Sequence, residues 1–287
     1  MIGVHVNWSK PRKHPSQPWE ILAQIVSAEL YRKNYGKIKL VCDEPALRVY
    51  EKLGMTGLYH DIEMLDESLL AGIDPDIYFA AGKLAAQLQV AEDKCYFMDL
   101  DILINPVERG FNFDFPYVLH RELPLNPHYA VLDTWQWPLP FNKEVYALNC
   151  GIVYFPNKEL RREYAALALK FMFANRDHGD YDPNILMVTA EQRLLGVYLA
   201  HKRIDPGYFL YDIYVPNTNN GELFWYADKL GSNMKERESE YSHLWGAKNV
   251  LLQSRTESIE MTTKLLELCD TFSKLDTELI LHKIKQL

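Results

Sequence analysis

The chain has 287 residues, which is enough for one large α/β domain or two ordinary ones. Its hydrophobic content of 48% is sufficient for a packed core, and this excludes a disordered chain. A formal net charge of -8 argues against a nucleic-acid-binding protein, because contacts to phosphate backbones need a concentrated positive field.

Apolar runs of strand length alternate with helical segments along the first hundred residues. This alternation predicts an α/β fold with a mixed, mostly parallel sheet flanked by helices on both faces. In chain order we expect a strand at 2–6, a helix at 18–35, a strand at 38–42, a helix at 45–53, a short strand at 58–59, a helix at 76–90 and an interior strand at 95–98.

The second half of the chain is more aromatic and contains more prolines, and no linker separates it from the first half. A single domain is therefore expected at 1–250, with a C-terminal helix at 251–287 packed on it. The expected elements are strands near 117–120 and 129–132, a strand at 147–155, helices at 158–175 and 189–202, an irregular stretch at 206–246 and a last helix at 257–285.

The last helix carries apolar residues at alternating steps of three and four, a spacing typical of a coiled-coil seam. Fewer than three heptads are present, so docking onto its own domain is favoured over dimerisation, and the oligomeric state is not assigned. The seam residues are Leu265, Leu268, Phe272, Leu275 and Leu279.

Two aspartates directly follow the apolar run at 95–98. In an extended chain, side chains i and i+2 project to the same face, so Asp99 and Asp101 can reach one ion while Leu100 points away. The carboxyl ends of parallel strands are also where α/β sheets bind ligands. Carboxylate oxygens suit Mg²⁺ or Mn²⁺, which keep further positions for water and diphosphate oxygens. The alternative is that both aspartates simply begin a solvated turn.

The order of residues around this pair is informative. Lys83 on a predicted helix precedes the apolar strand, and an apolar run with an Asn-Pro turn follows the aspartates. This order resembles the donor-binding core of the glycogenin-like family of GT-A glycosyltransferases. The resemblance implies that Lys83 contacts a nucleotide-sugar, whereas without it a solvated helix lysine explains the residue equally well.

Later segments resemble further elements of that family in the same order. Asn149 lies in an N-x-G strand, whose asparagine faces the donor sugar in the family, and Gly151 permits close backbone approach. Glu191 and Gln192 resemble the family's D-Q element, which implies contact with a sugar hydroxyl and a position near the anomeric carbon. A strand with a glycine bulge and a capping box begun by Thr189 are the structural alternatives.

The segment at 242–248 resembles the family's H-x-x-G-x-x-K element, although Lys248 stands one residue closer to the glycine. The resemblance implies that His243 joins Asp99 and Asp101 as a metal ligand and that Lys248 contacts the diphosphate. Asn7 ends the first strand, at the place where GT-A folds bind the base and ribose.

Together these features predict a metal-dependent glycosyltransferase of the hexosyltransferase kind. It would move a sugar from a nucleotide-diphosphate donor to a hydroxyl of a glycan or glycolipid, with Mn²⁺ or Mg²⁺ as cofactor. Asp101, Glu191 and Gln192 are the expected catalytic residues. The resemblance implies retention of configuration. An inverting enzyme would instead need a carboxylate base at the acceptor hydroxyl, for which Glu122 and Asp133 are available. Bacterial polysaccharide glycosyltransferases share the D-x-D core and fit about as well.

Two other functions stay open at this point: a catalytically silent GT-A protein that binds sugar or nucleotide, and a nucleotidyltransferase. The four cysteines show no close-spaced pairing and are expected to be buried, reduced thiols. No run approaches the roughly 20 apolar residues that a membrane-spanning helix requires. We therefore expect a cytoplasmic protein, peripheral to the inner face of the membrane if it is associated with it.

Overall fold

The computed structural model describes residues 1–11, 16–104, 112–122, 135–140, 144–176, 182–214, 241–243 and 248–286. The strands within these ranges are β1 (Ile2–Asn7), β2 (Ile38–Cys42), β3 (Asp61–Met64), β4 (Cys95–Met98), β5 (Ile102–Ile104), β6 (Tyr117–Glu122), β7 (Ala147–Leu148), β8 (Ile152–Phe155), β9 (Gly207–Tyr214) and β10 (Tyr241–His243).

Several of the helices begin or end at capping residues. Asp43 caps the second helix by accepting from the backbone nitrogen of Ala46 at 3.1 Å, and Gly54 ends it in a left-handed conformation with φ 75°. The helices are α1 (Pro18–Tyr35), α2 (Glu44–Leu53), α3 (Ala81–Gln89), α4 (Lys158–Ala174), α5 (Pro183–Val188), α6 (Leu194–His201), α7 (Lys248–Gln253), α8 (Arg255–Phe272) and α9 (Thr277–Ile284).

The main sheet has eight strands in the order β3-β2-β1-β4-β8-β6-β7, with β9 also paired to β6. Strands β3, β2, β1 and β4 are mutually parallel, whereas β8 runs antiparallel to β4 and to β6. The carboxyl ends of the four parallel strands therefore lie at one edge. The predicted α/β class with a mixed sheet is confirmed.

Helices cover both faces of this sheet, and the strands bury alternate side chains against them. Tyr96 and Met98 of β4 face a core built with α1, α2 and α8, whereas Cys95 and Phe97 face a core built with α3, α4 and α6. The apolar run at 95–98 is thus buried on both faces and carries the chain straight to the sheet edge.

Several predicted boundaries were wrong in the first hundred residues. The residues predicted as the strand at 58–59 end a 3₁₀ turn, Thr56–Leu58, and the neighbouring strand is Asp61–Met64. Helix α3 starts at Ala81 rather than at residue 76, because the residues before it form a turn closed by Tyr78 N donating to the Asp74 carbonyl.

The later elements also differ from the expectation. The strand predicted at 147–155 is divided into β7 and β8, because the Asn149 side chain bonds the Gly151 nitrogen at 2.9 Å and turns the chain. The stretch at 206–246 contains β9 and β10. The long last helix is two helices, because Asp276 caps a new helix by accepting from Leu279 N at 2.9 Å. The strand predicted at 129–132 lies outside the described residues.

The break in the last helix also divides the predicted seam. Leu265 is fully buried in the core shared with α1, whereas Leu279 is one of the exposed large apolar side chains. The heptad interpretation of the whole segment is therefore wrong, and α8 packs on α1 through Met261, Leu265 and Cys269.

All four cysteines are buried and unbonded, as expected. Among the helices that the structure describes, none combines the length and the apolar character needed to cross a bilayer.

Candidate functional site

Asp99 and Asp101 lie in a turn that joins β4 to β5, rather than in an extended strand. Asp99 N donates to the Gly151 carbonyl at 2.8 Å, and Ile102 N donates back to the Asp99 carbonyl at 3.2 Å. The prediction that Asp99 and Asp101 reach one ion assumed an extended backbone. That assumption is wrong, because side chains i and i+2 of a turn do not project to the same face. Instead, each carboxylate of this acidic turn contacts a different lysine.

Lys83, in the first turn of α3, is the most enclosed of these partners. Its ammonium lies 2.8 Å from Asp99 Oδ1, 2.9 Å from the Cys150 carbonyl and 2.8 Å from Glu191 Oε1. Its side chain is only 9% exposed. The ammonium thus donates hydrogen bonds to Asp99 and to the Cys150 carbonyl and forms an ion pair with Glu191. Lys83 therefore ties together the acidic turn, the turn before β8 and the helical segment that carries Glu191.

The charge of Lys83 is secure in this setting. Burial lowers the pKa of Lys83, but the charges of Asp99 and Glu191 raise it by more, so the pKa lies above its usual value. Lys83 is thus a protonated cation between two acidic side chains, of which Glu191 is 6% exposed. The solvated-lysine alternative is excluded.

Glu191 and Gln192 lie in a π-helical turn, Thr189–Arg193, between α5 and α6. The helix begins earlier than expected, at Pro183, where Asp182 caps it by accepting from Asn184 N at 2.8 Å. Thr189 itself has helical angles, φ -67° and ψ -45°, so the capping-box interpretation is wrong.

The backbone of the π-helical turn is anchored by a hydrogen bond from a buried tyrosine, and one of its side chains is partly exposed. The Tyr164 hydroxyl donates to the Glu191 carbonyl at 2.7 Å. The Glu191 side chain points to Lys83, whereas Gln192 is partly exposed. Such turns recur at functional sites, where the extra residue displaces side chains from the regular helical positions.

The other side of the acidic turn is formed by the chain after residue 240. The ammonium of Lys248, at the start of α7, lies 3.0 Å from Asp101 Oδ2. Burial lowers the pKa of Lys248, but Asp101 raises it by more, so this lysine is also protonated. Its side chain is 41% exposed, whereas that of Asp101 is 8% exposed.

His243 is placed beside the acidic turn by strand pairing. Strand β10 runs antiparallel to β5, with His243 opposite Ile102, the residue after Asp101. Only the backbone of His243 lies within the described part of the chain. The backbone of the predicted metal ligand His243 is therefore close to the aspartates in space, although it is far from them in sequence.

The two predicted asparagines lie at the same edge of the sheet. Asn149 uses its amide oxygen to accept from Gly151 N, which shapes the turn whose Cys150 carbonyl accepts from Lys83. Asn7, at the end of β1, donates from Nδ2 to the Tyr50 hydroxyl at 3.2 Å. Of the two alternative bases, Glu122 ends β6, and Asp133 is outside the described ranges.

Sequence reasoning missed His5, which lies on β1 behind the acidic turn and is fully buried. Burial lowers the pKa of His5 to about 3, although the charges of Asp99 and Asp101 oppose this shift. His5 is therefore a neutral imidazole. A histidine at an inward position of an apolar strand was the available signal.

The acidic turn suits a divalent cation by its donor set. Within the described side chains, no group of three or more His, Cys, Asp or Glu residues is arranged to hold a metal ion. However, both carboxylates of the turn stabilise positive charge, since Asp99 contacts the ammonium of Lys83 and Asp101 contacts that of Lys248. The two carboxylates of the turn are hard oxygen donors of the kind that Mn²⁺ or Mg²⁺ prefers, and the backbone of His243 lies opposite Ile102 in the β5–β10 ladder.

Comparison with known proteins bears on the fold. No family profile and no curated sequence matches the chain. Among solved structures, the galactosyltransferase LgtC in complex with donor and acceptor sugar analogs matches with a TM-score of 0.50 and 11% identity, over 97% of this chain and 98% of that one. The chain has the GT-A fold.

A second LgtC structure, an active-site mutant, matches with a TM-score of 0.41 and 12% identity, over 66% of this chain and 69% of that one. The match to the LgtC complex, at 11% identity, establishes the GT-A fold alone and does not extend to the glycogenin-like family. The activity must therefore be argued from the chain's own residues.

Proposed function

We propose that this chain is a glycosyltransferase that transfers a sugar, as a hexosyl unit, from a nucleotide-diphosphate donor to a hydroxyl of a glycan or glycolipid. The proposal places Mn²⁺ or Mg²⁺ at Asp99, Asp101 and His243. The convergence of two acidic residues and two lysines at the carboxyl edge of a GT-A sheet is the observation that supports it most strongly.

Together with Glu191, these make five charged groups, which come from four different parts of the chain. Lys83 is on α3, Asp99 and Asp101 follow β4, Glu191 is in the π-helical turn, and Lys248 begins α7. A structural ion pair needs only two partners, and burying such pairs is costly. Five charged groups brought to the ligand-binding edge of the sheet are better explained by a charged substrate such as a nucleotide diphosphate.

The sugar-transfer chemistry assigns distinct roles to these side chains. A bound cation would supply electrostatic stabilisation to the departing diphosphate. Lys248 lies beside Asp101 with a partly exposed ammonium, from which it can contact a donor phosphate oxygen. The ammonium of Lys83 is in contact with three protein oxygens, so its part is to hold Asp99 and Glu191 in place.

The sugar-binding side is formed by the π-helical turn and the turn before β8. Gln192 is partly exposed beside the buried Glu191, which suits a position near the anomeric carbon. Asn149 contributes from the adjacent turn, and Asn7 from the end of β1 on the nucleotide side. Retention of configuration belongs to the same proposal and rests on the resemblance of these motifs.

The proposal is tested by donor hydrolysis over a panel of nucleotide-sugars with Mn²⁺, in the wild-type protein and in Asp101→Ala. We expect metal-dependent hydrolysis of one donor and its loss, by at least about a hundredfold, in the variant. Asp114→Ala is the matched control, because Asp114 is an exposed aspartate that forms a long ion pair of 3.7 Å with Lys94.

Unchanged turnover in Asp101→Ala contradicts the proposal. Metal-independent sugar binding without turnover of any donor would instead indicate a silent binding protein. Calorimetry with uridine and guanosine diphosphates, with and without Mn²⁺, separates these two outcomes.

A further inference from the structure

A buried chain of hydrogen bonds lies behind the acidic turn and involves side chains that the proposed function does not use. The Tyr59 hydroxyl lies 3.1 Å from His5 Nδ1, and the Ser27 hydroxyl lies 3.1 Å from His5 Nε2. Ser27 Oγ also donates to the carbonyl of Ile102. His5 and Ser27 are both fully buried. The chain therefore runs from Tyr59 through β1 and α1 to the first residue of β5.

The donor and the acceptor of each hydrogen bond in this chain can be assigned by starting from the Ile102 carbonyl. The Ile102 carbonyl can only accept, so the single hydroxyl proton of Ser27 is used there. Ser27 Oγ must then accept from His5, which places the imidazole proton on Nε2. His5 Nδ1 is left as an acceptor, so the Tyr59 hydroxyl donates to it. Of the two neutral tautomers, only the Nε2–H form satisfies all three contacts.

The accepting carbonyl occupies a sensitive position. Ile102 directly follows Asp101, its nitrogen closes the turn onto the Asp99 carbonyl, and it lies opposite His243 in the β5–β10 ladder. A displacement of Ile102 therefore changes the spacing of all three residues assigned to the cation. Ser27 reaches it from α1 on the far side of the sheet edge.

We propose that His5, locked as its Nε2–H tautomer by Tyr59, acts with Ser27 as a positioning device that sets the cation-binding turn through the Ile102 carbonyl. This inference rests on the proposed function for its effect on the cation, whereas the tautomer and the position of the turn do not depend on it. A pure packing role predicts neither a fixed tautomer nor an effect confined to the turn.

The first measurement is a long-range ¹H–¹⁵N spectrum of protein labelled in its histidines. We expect the Nε2-protonated pattern for His5, unchanged between pH 8 and pH 6. A mixture of tautomers, or protonation on Nδ1, would overturn the proposal.

The second measurement compares Ser27→Ala with Tyr78→Phe, using Mn²⁺ alone as the probe and the electron paramagnetic resonance signal of free Mn²⁺ as the readout. We expect Ser27→Ala to weaken Mn²⁺ binding by about tenfold, as loss of a partner behind a ligand does. Tyr78→Phe is the matched control, because it also removes a buried hydroxyl that donates to a carbonyl, that of Asn175 at 2.8 Å, away from the turn.

Equal Mn²⁺ affinity in wild type and Ser27→Ala, with wild type binding the ion, overturns the positioning role. If wild type binds no Mn²⁺, the proposed function fails, and the amide shifts of residues 101–103 then decide the inference. Shifts there in Ser27→Ala but not in Tyr78→Phe support it, whereas unchanged shifts reject it. Circular dichroism melting of both variants identifies a general loss of folding.

Discussion

The two sides of the acidic turn hold their lysines very differently. On the α3 side, the Lys83 ammonium is buried among three oxygens from three segments of the chain. On the α7 side, Lys248 is partly exposed, and the ion pair described for it is the one with Asp101. Both lysines are protonated and both neutralise an aspartate of the same turn.

The comparison separates a charge that belongs to the folded architecture from a charge that is available to a ligand. A buried ammonium in contact with three oxygens cannot leave without removing the cation from the buried Glu191 carboxylate and from the partly exposed Asp99 carboxylate. A half-exposed lysine can exchange its carboxylate for a phosphate at little cost, because surface ion pairs contribute little to stability. Substitutions on the two sides should therefore differ in their effect on unfolding.

The largest effect is expected for Lys83→Met. This change leaves Asp99 and the buried Glu191 without their cation, and loss of one partner from a buried ion pair costs about 3–5 kcal/mol of unfolding free energy. Urea unfolding measures it. Adding Glu191→Gln to Lys83→Met should recover part of the loss, because it removes one uncompensated carboxylate. Lys94→Met, at an exposed lysine, serves as the control.

The next effect in size is a dependence of stability on pH. It arises from His5, which is buried like Lys83. The pKa of His5 is about 3 in the folded protein, against an ordinary value of 6.5. Between pH 6.5 and about pH 3, His5 is protonated in the unfolded chain but not in the folded protein. The free energy of unfolding therefore falls as the pH drops below 6.5. At pH 5 this contribution lowers the unfolding free energy by about 2 kcal/mol relative to pH 8.

The variant His5→Gln isolates this contribution. It should be less stable than wild type at pH 8, since it loses hydrogen bonds to Tyr59 and Ser27. The gap between the two proteins should narrow by about 2 kcal/mol at pH 5, because glutamine does not titrate. Urea unfolding at both pH values measures the gap, and a gap that stays constant would show that His5 does not titrate as described.

A smaller effect is expected for Gly82→Ala, beside Lys83 in α3. A Cβ atom there would lie 2.5 Å from Trp8 Cβ, so Trp8 or the first turn of α3 must shift. Overpacking of this kind costs about 1–3 kcal/mol, and the better helix propensity of alanine returns about 1 kcal/mol. We expect a net loss of about 1 kcal/mol in thermal or urea unfolding. A gain in stability would show that Trp8 moves without cost.

The smallest effect on stability is expected for Lys248→Ala. Its ion pair joins a 41% exposed ammonium to an 8% exposed carboxylate, and solvent screening of the ammonium limits its contribution to about 1 kcal/mol. The same variant should raise the KM of metal-dependent donor hydrolysis by about tenfold, because one charged contact to phosphate is lost. A loss of stability as large as that of Lys83→Met would remove the distinction between the two sides.

Local sequence signals located most of the binding edge. Pro18 and Gly36 bracket α1 as expected, and the strands at 38–42 and 95–98 were predicted with their observed ends. These are segments whose apolar pattern and capping residues agree. The residues of the acidic turn, α3 and the π-helical turn were assigned to one site from their resemblance to the motifs of a known family, and in the structure the ion pairs of Lys83 join them.

Other features of the site depend on contacts that a single sequence does not display. A π-helical turn is defined by its backbone bonding, and Thr189 with Gln192 looks like a helix start because capping residues are also tolerated inside a helix. The tautomer of His5 is set by Ser27 and Tyr59, which are distant along the chain. Strand β9 was missed because its pairing with β6 is entirely non-local.

The pairing of β5 with β10 has a consequence for the order of assembly. His243 meets Ile102 across about 140 intervening residues, and closing so large a loop is among the slower events of folding. A nascent chain that has left the ribosome as far as the end of α6 contains the residues of the acidic turn, α3 and the π-helical turn, but neither β10 nor Lys248. Such an intermediate would lack the strand and the lysine on one side of the acidic turn, so under the proposed function the cation site is complete only after residue 248 has been synthesised.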